Sequence, residues 1–326
     1  MLQKINDNGL RQSQLLYEVA GLYYEEGLTQ AQIATEIGVS RPQVQKLLKR
    51  ARERGIVRIQ VINPVQSYRE LEDRLEKHFK LNKAIVVSSG IDNENIIRNH
   101  LGKAAAGYLA KVVSENEIIG VGLGRTIYEV LKHFKPIPGK SMTCVPLMGG
   151  IGRMAADFQV NEMARQFAEK TGGAFVPFHA PALSDGKHIA DLLFTDTKLN
   201  EAVRLWNKVT TAIVGIGEPL SDVSYVPIDY YGKEDIPLLR KSGCVGDILS
   251  HFINREGKLC SPVLSQRVVG ISLDKLRRIK RVIVVAGSMR KKETILAALR
   301  GRLIKVLVTD EHVAEEILMN DDISRQ

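Results

Sequence analysis

The amino-acid sequence predicts two modules, an N-terminal helix-turn-helix domain (winged-helix-like) and a larger α/β domain with a mainly parallel sheet. Capping and turn residues divide the first 55 residues into three short helices. An alternating segment at 56–62, which predicts a wing strand, stops at Asn63-Pro64. Beyond Leu81, short apolar runs alternate with helix-length segments. We therefore expect domains at residues 1–63 and 83–326, joined by a linker helix at 64–82.

The first two helices are predicted from their apolar spacing and their ends. Apolar residues recur at i, i+3, i+4 and i+7 over 16–23, and Gly27 ends that helix. Thr29 followed by Gln32 matches a capping box, so a second helix begins at Thr29. It stops at Gly38, because glycine can adopt the left-handed conformation of a tight turn.

The third helix and the turn before it have the spacing of a helix-turn-helix. Ser40 caps this helix, and Pro42 in its first turn lacks only an amide hydrogen that would be unpaired anyway. Ala34 lets two helices cross closely, Gly38 makes the turn and Val44 packs the third helix onto the second. This combination indicates a DNA-binding helix-turn-helix.

The charge of this module favours DNA as its partner. From Arg41 to Arg58, seven basic residues stand against Glu53, a local charge of +6. Gln can pair with adenine, Lys and Arg can contact guanine or phosphate, and a recognition helix enters the major groove by its N-terminal turns. A helical bundle with a solvated polar face would explain the apolar stripes but not Gly38, Ser40 and this charge together. The residues expected at DNA are Thr29, Gln30, Ser40, Arg41, Gln43, Gln45, Lys46 and Lys49.

Seven apolar runs in the larger module are candidate strands. They are Ala84–Val87, Ile118–Gly122, Met142–Met148, Ala174–Phe178, Ala212–Ile216, Val282–Ala286 and Val306–Val308. Helix-length segments lie between most of them, for example 95–113, 125–134, 157–170 and 293–300. Ligands of parallel sheets collect at the carboxyl ends of strands, so the turns that follow these runs are candidate ligand loops.

A glycine-rich turn, Gly122–Thr126, follows the second run. It joins a strand to a helix, which offers free backbone amides and a helix dipole to a phosphate. A dinucleotide site does not fit, because Arg125 occupies the third glycine position and residues 130–156 contain no acid to hold a ribose. Tight packing of a helix on a strand would also require such glycines.

Other turns carry glycine or charge at corresponding places. Gly149-Gly150 follow the third run, and the basic turn Arg290–Lys292 follows the sixth. Asp310 is expected to cap a helix after the last run. Val245–Leu249 is predicted to open a helix with Asp247 in its first turn, where an acid favours the helix dipole. A second basic run, Lys275–Lys305, has a local charge of +10, and such runs are usually solvated.

No catalytic constellation, metal site or cofactor is expected. The seven histidines form no H-x-x-x-H pair, and no G-x-S-x-G is present. The three cysteines form no C-x-x-C pair, so neither a disulfide framework nor a zinc ribbon is expected, a reducing cytoplasm fits best, and Cys144 is expected in the core. The longest uncharged stretch, Thr171–Ser184, contains Gly, Pro and His, so no membrane span is expected, and the N-terminus has no apolar core of a secretory signal.

The whole chain resembles the SorC family of bacterial sugar-responsive transcription regulators. The similar segments, which span about residues 16–318, are LYYEEGLTQAQIATEIGVSRPQVQKLLKRARERGIVRIQV, IIGVGLGRTIYEVL, VPLMGGIG, AIVGIG, GCVGDIL, VVAG followed by Lys291, and LVTDEHVAEEIL. The resemblance implies a DNA-binding domain followed by an effector domain similar in fold to sugar-phosphate isomerases and glucosamine-phosphate deaminases. It also implies dimers or tetramers whose operator binding is altered by a phosphorylated sugar.

The resemblance also implies roles for single residues. Gly124, Arg125 and Thr126 would belong to the effector-phosphate loop, Asp247 would hold sugar hydroxyls, and Lys291 would help to bind phosphate or sugar. Some members carry Lys or Arg before the double glycine, but here that residue is Met148, so a covalent imine is impossible. The residues expected at the effector are Gly122, Gly124, Arg125, Thr126, Gly149, Gly150, Asp247 and Lys291.

The sequence thus predicts a cytoplasmic, DNA-binding transcriptional regulator of a carbohydrate operon, controlled by a phosphorylated sugar. We expect a homodimer or homotetramer on double-stranded operator DNA, with no enzymatic activity. The alternative is a sugar-phosphate isomerase-like or deaminase-like enzyme with a DNA-binding head. That alternative needs a positioned general base, for which Asp247 is the one candidate that the sequence offers.

Overall fold

The computed structural model of the chain describes residues 2–57, 68–90, 93–152, 155–217 and 235–325. The chain divides into two compact units, Met1–Gln66 and Ser67–Gln326. Each unit has its own apolar clusters. The functions predicted for the ranges 1–63, 64–82 and 83–326 stay predictions.

The first unit contains the three helices that the sequence predicts. They are α1 (Leu2–Tyr24), α2 (Gln30–Glu36) and α3 (Arg41–Glu53). Val19 of α1, Ile33 of α2 and Val44 of α3 are fully buried in one cluster. Gly38 between α2 and α3 has φ +68°, the left-handed value that favours glycine. The predicted wing strand at 56–62 lies outside the described residues from 58 onward, and 56–57 form a bend.

The second unit alternates helices and strands along the chain. Its helices are α4 (Arg69–Phe79), α5 (Glu94–Val112), α6 (Arg125–His133), α7 (Val160–Thr171), α8 (Lys187–Thr195), α9 (Asn200–Trp206), α10 (Asp235–Lys241), α11 (Pro262–Ser265), α12 (Leu273–Arg278), α13 (Lys292–Arg300) and α14 (Glu311–Arg325). Its strands are β1 (Lys83–Val87), β2 (Ile118–Val121), β3 (Thr143–Pro146), β4 (Ala174–Phe175), β5 (Thr211–Val214), β6 (Gly246–Ile248), β7 (His251–Ile253), β8 (Arg281–Val285) and β9 (Val306–Asp310).

Seven strands form one sheet in the order β1-β9-β8-β5-β2-β3-β4, and every neighbouring pair is parallel. Each of the seven predicted runs overlaps one of these strands. Val282 and Val284 of β8 pack in one apolar cluster, whereas Ile283 and Val285 pack in another. Alternate residues of this strand are thus buried on opposite faces, as expected of a parallel sheet covered by helices on both sides. The predicted α/β fold with a parallel sheet is confirmed.

The edge strand β1 is covered by α4. The Ala84 N–H donates to Oε1 of Glu76 and the Val86 N–H to Oε1 of Glu72, both at 3.0 Å. Leu75 of α4 is fully buried against the same unit. An edge strand otherwise presents unpaired N–H groups, so these two carboxylates satisfy donors that the sheet leaves open. The helix predicted within 64–82 is therefore part of the packing of the second unit.

The prediction that Val245–Leu249 opens a helix is wrong. Gly246–Ile248 forms β6, which pairs with β7 as an antiparallel hairpin that places Asp247 opposite Phe252. Gly246 has φ +153°, and a Cβ there would lie 2.2 Å from Oγ1 of Thr294. A short apolar run with one acid fits a helix start and a strand equally well, and pairing with a later segment decides between them.

The expectation of no disulfide is also corrected. Cys244 and Cys260 flank the β6–β7 hairpin and form a disulfide, with their Cα atoms 5.7 Å apart. Their sequence spacing matches no motif, and the hairpin brings them together. Cys144 is buried within β3, as expected of a core cysteine, and burial raises the pKa of its thiol to about 12.

Candidate functional site

The start of α3 is fixed by a reciprocal capping box that the sequence analysis did not identify. The backbone N–H of Ser40 donates to Oε1 of Gln43 at 2.8 Å, and the Ser40 hydroxyl donates to the same oxygen at 2.9 Å. Thr29 and Gln32 make the equivalent pair at the start of α2, as predicted. Ser40 and Thr29 thus hold helix ends, and the amide oxygen of Gln43 is engaged within its own helix.

The outer face of α3 presents four more of the predicted DNA contacts, whereas Gln30 is the first residue of α2. Arg41, Gln45 and Lys49 follow one another at intervals of four residues, so they share a face, and all three are exposed. Lys46 is exposed as well. Lys49 Nζ lies 3.8 Å from a carboxylate oxygen of Glu53, in a pair whose two side chains are more than half exposed. Such a pair is weak and leaves the lysine available to a phosphate.

A small cavity that opens to solvent lies in the second unit. Two of its lining residues, Thr126 and Lys291, come from the two turns that the sequence singled out, after β2 and before α13. The full lining is Glu94, Ile97, Arg98, Leu101, Thr126, Gly287, Ser288 and Lys291. The parallel sheet thus brings these two turns together at the carboxyl ends of its strands, as predicted.

The glycine-rich turn after β2 is held closely against its neighbours. The Gly122 N–H donates to the Ile213 carbonyl oxygen at 2.8 Å, and a Cβ on Gly122 would lie 3.1 Å from a side-chain carbon of Leu249. Gly124 has φ +135° and caps α6. Thr126 is buried in the first turn of α6, whereas Arg125 beside it is exposed. Thr126 lines the cavity, whereas Gly122, Gly124 and Arg125 are not among its lining residues. The turn offers the N-terminus of α6 and a hydroxyl to an anion.

The turn after β8 is fixed by a buried carboxylate. Ser288 has φ +79°, and its N–H donates to Oδ2 of Asp310 at 2.7 Å. The other oxygen of Asp310 accepts the Val313 N–H at 3.0 Å, which confirms Asp310 as the cap of α14. A Cβ on Gly287 would lie 2.4 Å from the same carboxylate, so this position requires glycine. Asp310 therefore sets the path of the chain that leads to Lys291.

Asp247 lies on the β6–β7 hairpin, outside the residues that line the cavity. Its Oδ2 accepts the Ser250 N–H at 3.0 Å, and its backbone oxygen accepts the Gly217 N–H at 2.9 Å. Leu249 and Ser250 of the turn have φ of +51° and +66°, which is unusual for residues other than glycine. Burial raises the pKa of the Asp247 carboxyl, whereas the Ser250 N–H and the positive charge of Lys291 act to lower it. Lys291 therefore acts electrostatically on Asp247.

Gly149 and Gly150 lie at the carboxyl end of β3, outside the residues that line the cavity. The Gly149 N–H donates to the Val269 carbonyl oxygen at 2.9 Å, and a Cβ on Gly149 would lie 2.3 Å from the Pro181 carbonyl oxygen. These glycines permit close backbone packing. Met148 beside them is 1% exposed.

Two charged residues of α5 line the cavity and were missed by the sequence analysis. Glu94 lies 3.8 Å from Arg98 and 3.5 Å from Arg290. Asn93 caps α5 by accepting the Asn95 N–H at 2.9 Å. The order of the elements could have indicated these residues, because α5 follows β1 and therefore begins at the carboxyl ends of the strands, as α6 does.

Within the described parts of the chain, no helix is long and apolar enough to cross a membrane. No group of three or more His, Cys, Asp or Glu in these parts could hold a metal ion.

The chain matches known families and proteins over nearly its full length. Residues 63–319 match the family described as "Putative sugar-binding domain", and residues 14–59 match the homeodomain-like domain family. The chain is 32% identical to the deoxyribonucleoside regulator of Bacillus subtilis (strain 168), over 94% of this chain and 98% of that protein. It is 31% identical to the sorbitol operon regulator of Klebsiella pneumoniae, over 93% of this chain and 97% of that protein.

Solved structures agree with these matches. The crystal structure of the full-length sorbitol operon regulator SorC from Klebsiella pneumoniae superimposes with a TM-score of 0.78, at 31% sequence identity, over 94% of this chain and 98% of that one. The helix-turn-helix, the parallel α/β unit and these likenesses together show that the chain belongs to the SorC family of sugar-responsive bacterial transcription regulators.

Proposed function

We propose that the chain binds double-stranded operator DNA of a carbohydrate operon through α3, and that a phosphorylated sugar in the cavity alters operator affinity. The observation that carries the proposal is the meeting of Thr126 and Lys291 in one cavity. Thr126 belongs to the N-terminus of α6, after β2, and Lys291 belongs to the basic turn after β8. Backbone amides, a hydroxyl and an ammonium group together suit a dianionic phosphate.

The remaining groups favour a sugar with one phosphate. Asp247, which accepts the Ser250 N–H and interacts electrostatically with Lys291, would offer its carboxyl group to sugar hydroxyls. Glu94 lines the cavity and would repel a second phosphate, and Met148 supplies no cation. We assign Gly122, Gly124 and Arg125 to the phosphate turn. Gly149 and Gly150 would act only by shaping the backbone nearby.

For DNA, the proposal gives different roles to different residues of the first unit. Gln45 and Arg41 would read base edges, and Lys46 and Lys49 would contact phosphates or guanine. Thr29, Gln30 and Ser40 would lie at helix starts close to the backbone, where amides and hydroxyls contact phosphates. Gln43 would contribute chiefly by holding the start of α3 through its bond with Ser40.

The assembly and the location follow from the same proposal. One helix-turn-helix buries too little surface for tight operator binding, so we propose a homodimer or homotetramer that places two copies of α3 in successive major grooves. The unit at 83–326 would supply the effector site and the oligomer contacts, with 1–63 as the DNA-binding domain. The protein would act in the cytoplasm, where operator DNA and phosphorylated sugars meet.

We also propose that the chain is not an enzyme. Its relatives are named as regulators. Asp247 is the candidate general base, and one of its two carboxyl oxygens accepts the Ser250 N–H. Deuterium exchange into sugar monophosphates, followed by NMR, tests this, because an isomerase would exchange a carbon-bound proton.

Calorimetric titration with a panel of sugar monophosphates tests the effector site. The wild-type chain should bind at least one of them, and Arg125→Ala and Lys291→Ala should lose that binding while keeping operator affinity. Lys292→Ala is the matched control, because Lys292 follows Lys291 directly and its ammonium group pairs with Glu316 at 3.0 Å. Unchanged affinity in both Arg125→Ala and Lys291→Ala would show that the effector binds elsewhere.

A further inference from the structure

The end of the sheet at which its strands begin lies opposite the cavity and carries a row of exposed cations. Because all seven strands are parallel, the loops that enter them meet at one edge. Four neighbouring strands in the sheet are β1, β9, β8 and β5, and their entering loops contain Lys80, Arg302, Lys280 and Lys208, respectively. All four side chains are exposed. We call these four residues the basic edge.

No acid neutralises the basic edge from within its own loops. Residues 80–82, 207–210, 279–280 and 301–305 contain no Asp or Glu. Two carboxylates near these loops have other partners, since Glu117 lies 3.2 Å from Arg281 and Glu76 lies 2.7 Å from Lys83. The next loop along the sheet, before β2, contains two acids, so the row ends at β5.

Other cations at this edge hydrogen-bond directly to helix carbonyls, and the four residues of the basic edge also follow helix ends, those of α4, α9, α12 and α13. Helices of the unit end here, and their last carbonyls attract positive groups. Lys170 Nζ donates to the carbonyl oxygens of Leu131 and Phe134, at 2.6 and 2.8 Å, and Arg277 Nε donates to that of Gly301 at 3.0 Å. The side chains of the basic edge make no hydrogen bond or ion pair to any residue in the described ranges.

The dimensions of the row suit a nucleic-acid backbone. Neighbouring strands lie about 4.8 Å apart, so four entering loops extend over about 15 Å. Duplex DNA carries about one negative charge per 1.7 Å of its axis, and several phosphates fall within that length. The four loops contain no aromatic residue on which bases of a single strand could stack. The chemistry therefore fits phosphates of a duplex, without base reading.

We propose that the basic edge contacts the phosphate backbone of the same duplex that α3 reads, and so adds sequence-independent affinity. This inference rests on the proposed operator binding. The two units belong to one chain, so DNA held by α3 is present at high effective concentration around the second unit. Individually weak phosphate contacts then suffice to raise the affinity of the whole chain.

The test is a full-length variant in which Lys80→Gln, Lys208→Gln, Lys280→Gln and Arg302→Gln are combined. Fluorescence anisotropy measures its binding to a duplex that the wild-type chain has selected from random sequences, with flanks beyond the selected site, at a series of salt concentrations. We expect the slope of log K against log salt to become shallower by about 2–4, since each phosphate contact contributes about 0.9. Affinity for an unrelated duplex should fall by a similar factor.

A matched control removes the same charge from exposed lysines outside the four loops: Lys103→Gln, Lys198→Gln, Lys241→Gln and Lys258→Gln. This control should keep the wild-type slope. Equal losses in both variants would overturn the proposal, because only net charge would matter. A wild-type slope in the basic-edge variant would also overturn it and would point to an acidic protein partner.

Two further results keep the experiment decisive. If circular dichroism shows that the combined variant is unfolded, the four single substitutions replace it, and each should reduce the slope by up to about one. Wild-type slopes in all four would overturn the proposal. If the wild-type chain selects no duplex, the proposed operator binding is wrong, and this inference fails with it. If the wild-type chain binds a duplex but the variant keeps the wild-type slope, only this inference fails.

Discussion

The Oδ2 atom of Asp310 accepts the backbone N–H of Ser288 at 2.7 Å, and this contact links the end of β9 to the turn after β8. Asp310 is 1% exposed, and its second oxygen caps α14 through the Val313 N–H. Ser288 has φ +79°, a conformation that needs support from its surroundings. One carboxylate thus fixes the turn from which Lys291 reaches the cavity.

We expect Asp310→Asn to lower both stability and effector affinity. The carboxylate of Asp310 accepts two N–H groups, one on each oxygen, whereas an amide has only one oxygen. In the variant, the N–H of Ser288 or of Val313 would therefore face an NH2 group. The free energy of unfolding should fall by about 1–3 kcal/mol, the usual effect of leaving a buried donor unsatisfied. Urea denaturation measures this, and Asp274→Asn on the exposed surface is the control. Wild-type stability would show that the carboxylate does not hold the turn.

Glu94→Gln is expected to strengthen binding of a sugar monophosphate by about 2–5-fold, since partly exposed ion pairs have modest energies. Glu94 lies 3.8 Å from Arg98 and 3.5 Å from Arg290, so its loss leaves two guanidinium groups to act on a phosphate. Calorimetry measures the change, and Glu316→Gln, outside the cavity lining, should leave the affinity unaltered. Weaker binding in Glu94→Gln would mean that this carboxylate contacts the sugar.

Gln43→Ala should destabilise the first unit by about 0.5–2 kcal/mol, because it removes the acceptor of the Ser40 N–H. Gln43→Glu keeps an acceptor at the same place and should restore the stability, since Glu also completes a capping box. Thermal denaturation followed by circular dichroism compares the two variants. If both variants lose the same amount of stability, the hydrogen bond to Ser40 contributes nothing to stability.

Asp247→Asn should make the protein more stable at neutral pH but unable to bind the effector. Burial raises the pKa of the Asp247 carboxyl, so the folded state favours its protonated form, and ionisation costs stability as pH rises through the folded pKa. The stability difference between variant and wild type should therefore be largest at neutral pH and shrink on acidification below the unfolded pKa. Urea denaturation across pH checks this, and a constant difference would contradict it.

Much of the fold could be predicted from the sequence because parallel strands appear as short apolar runs. The hairpin at Gly246–Ile253 could not, because its strands have three residues each and only their pairing distinguishes them from a helix start. Asp310 was predicted as a helix cap, but its bond to Ser288 joins positions 22 residues apart. Gln43 was assigned to DNA, and the local pattern Ser40-x-x-Gln43 could have indicated its capping role.

A phosphorylated sugar in the cavity is proposed to control operator binding. The most direct measurement is the operator dissociation constant, by fluorescence anisotropy, with and without the sugar monophosphate that calorimetry identifies. We expect it to change about 5–150-fold for the wild-type chain and for Lys292→Ala, the usual range of coupling between two sites. Lys291→Ala should bind operator but show no response. A response of Lys291→Ala equal to that of the wild-type chain, at the same sugar concentration, would contradict the account.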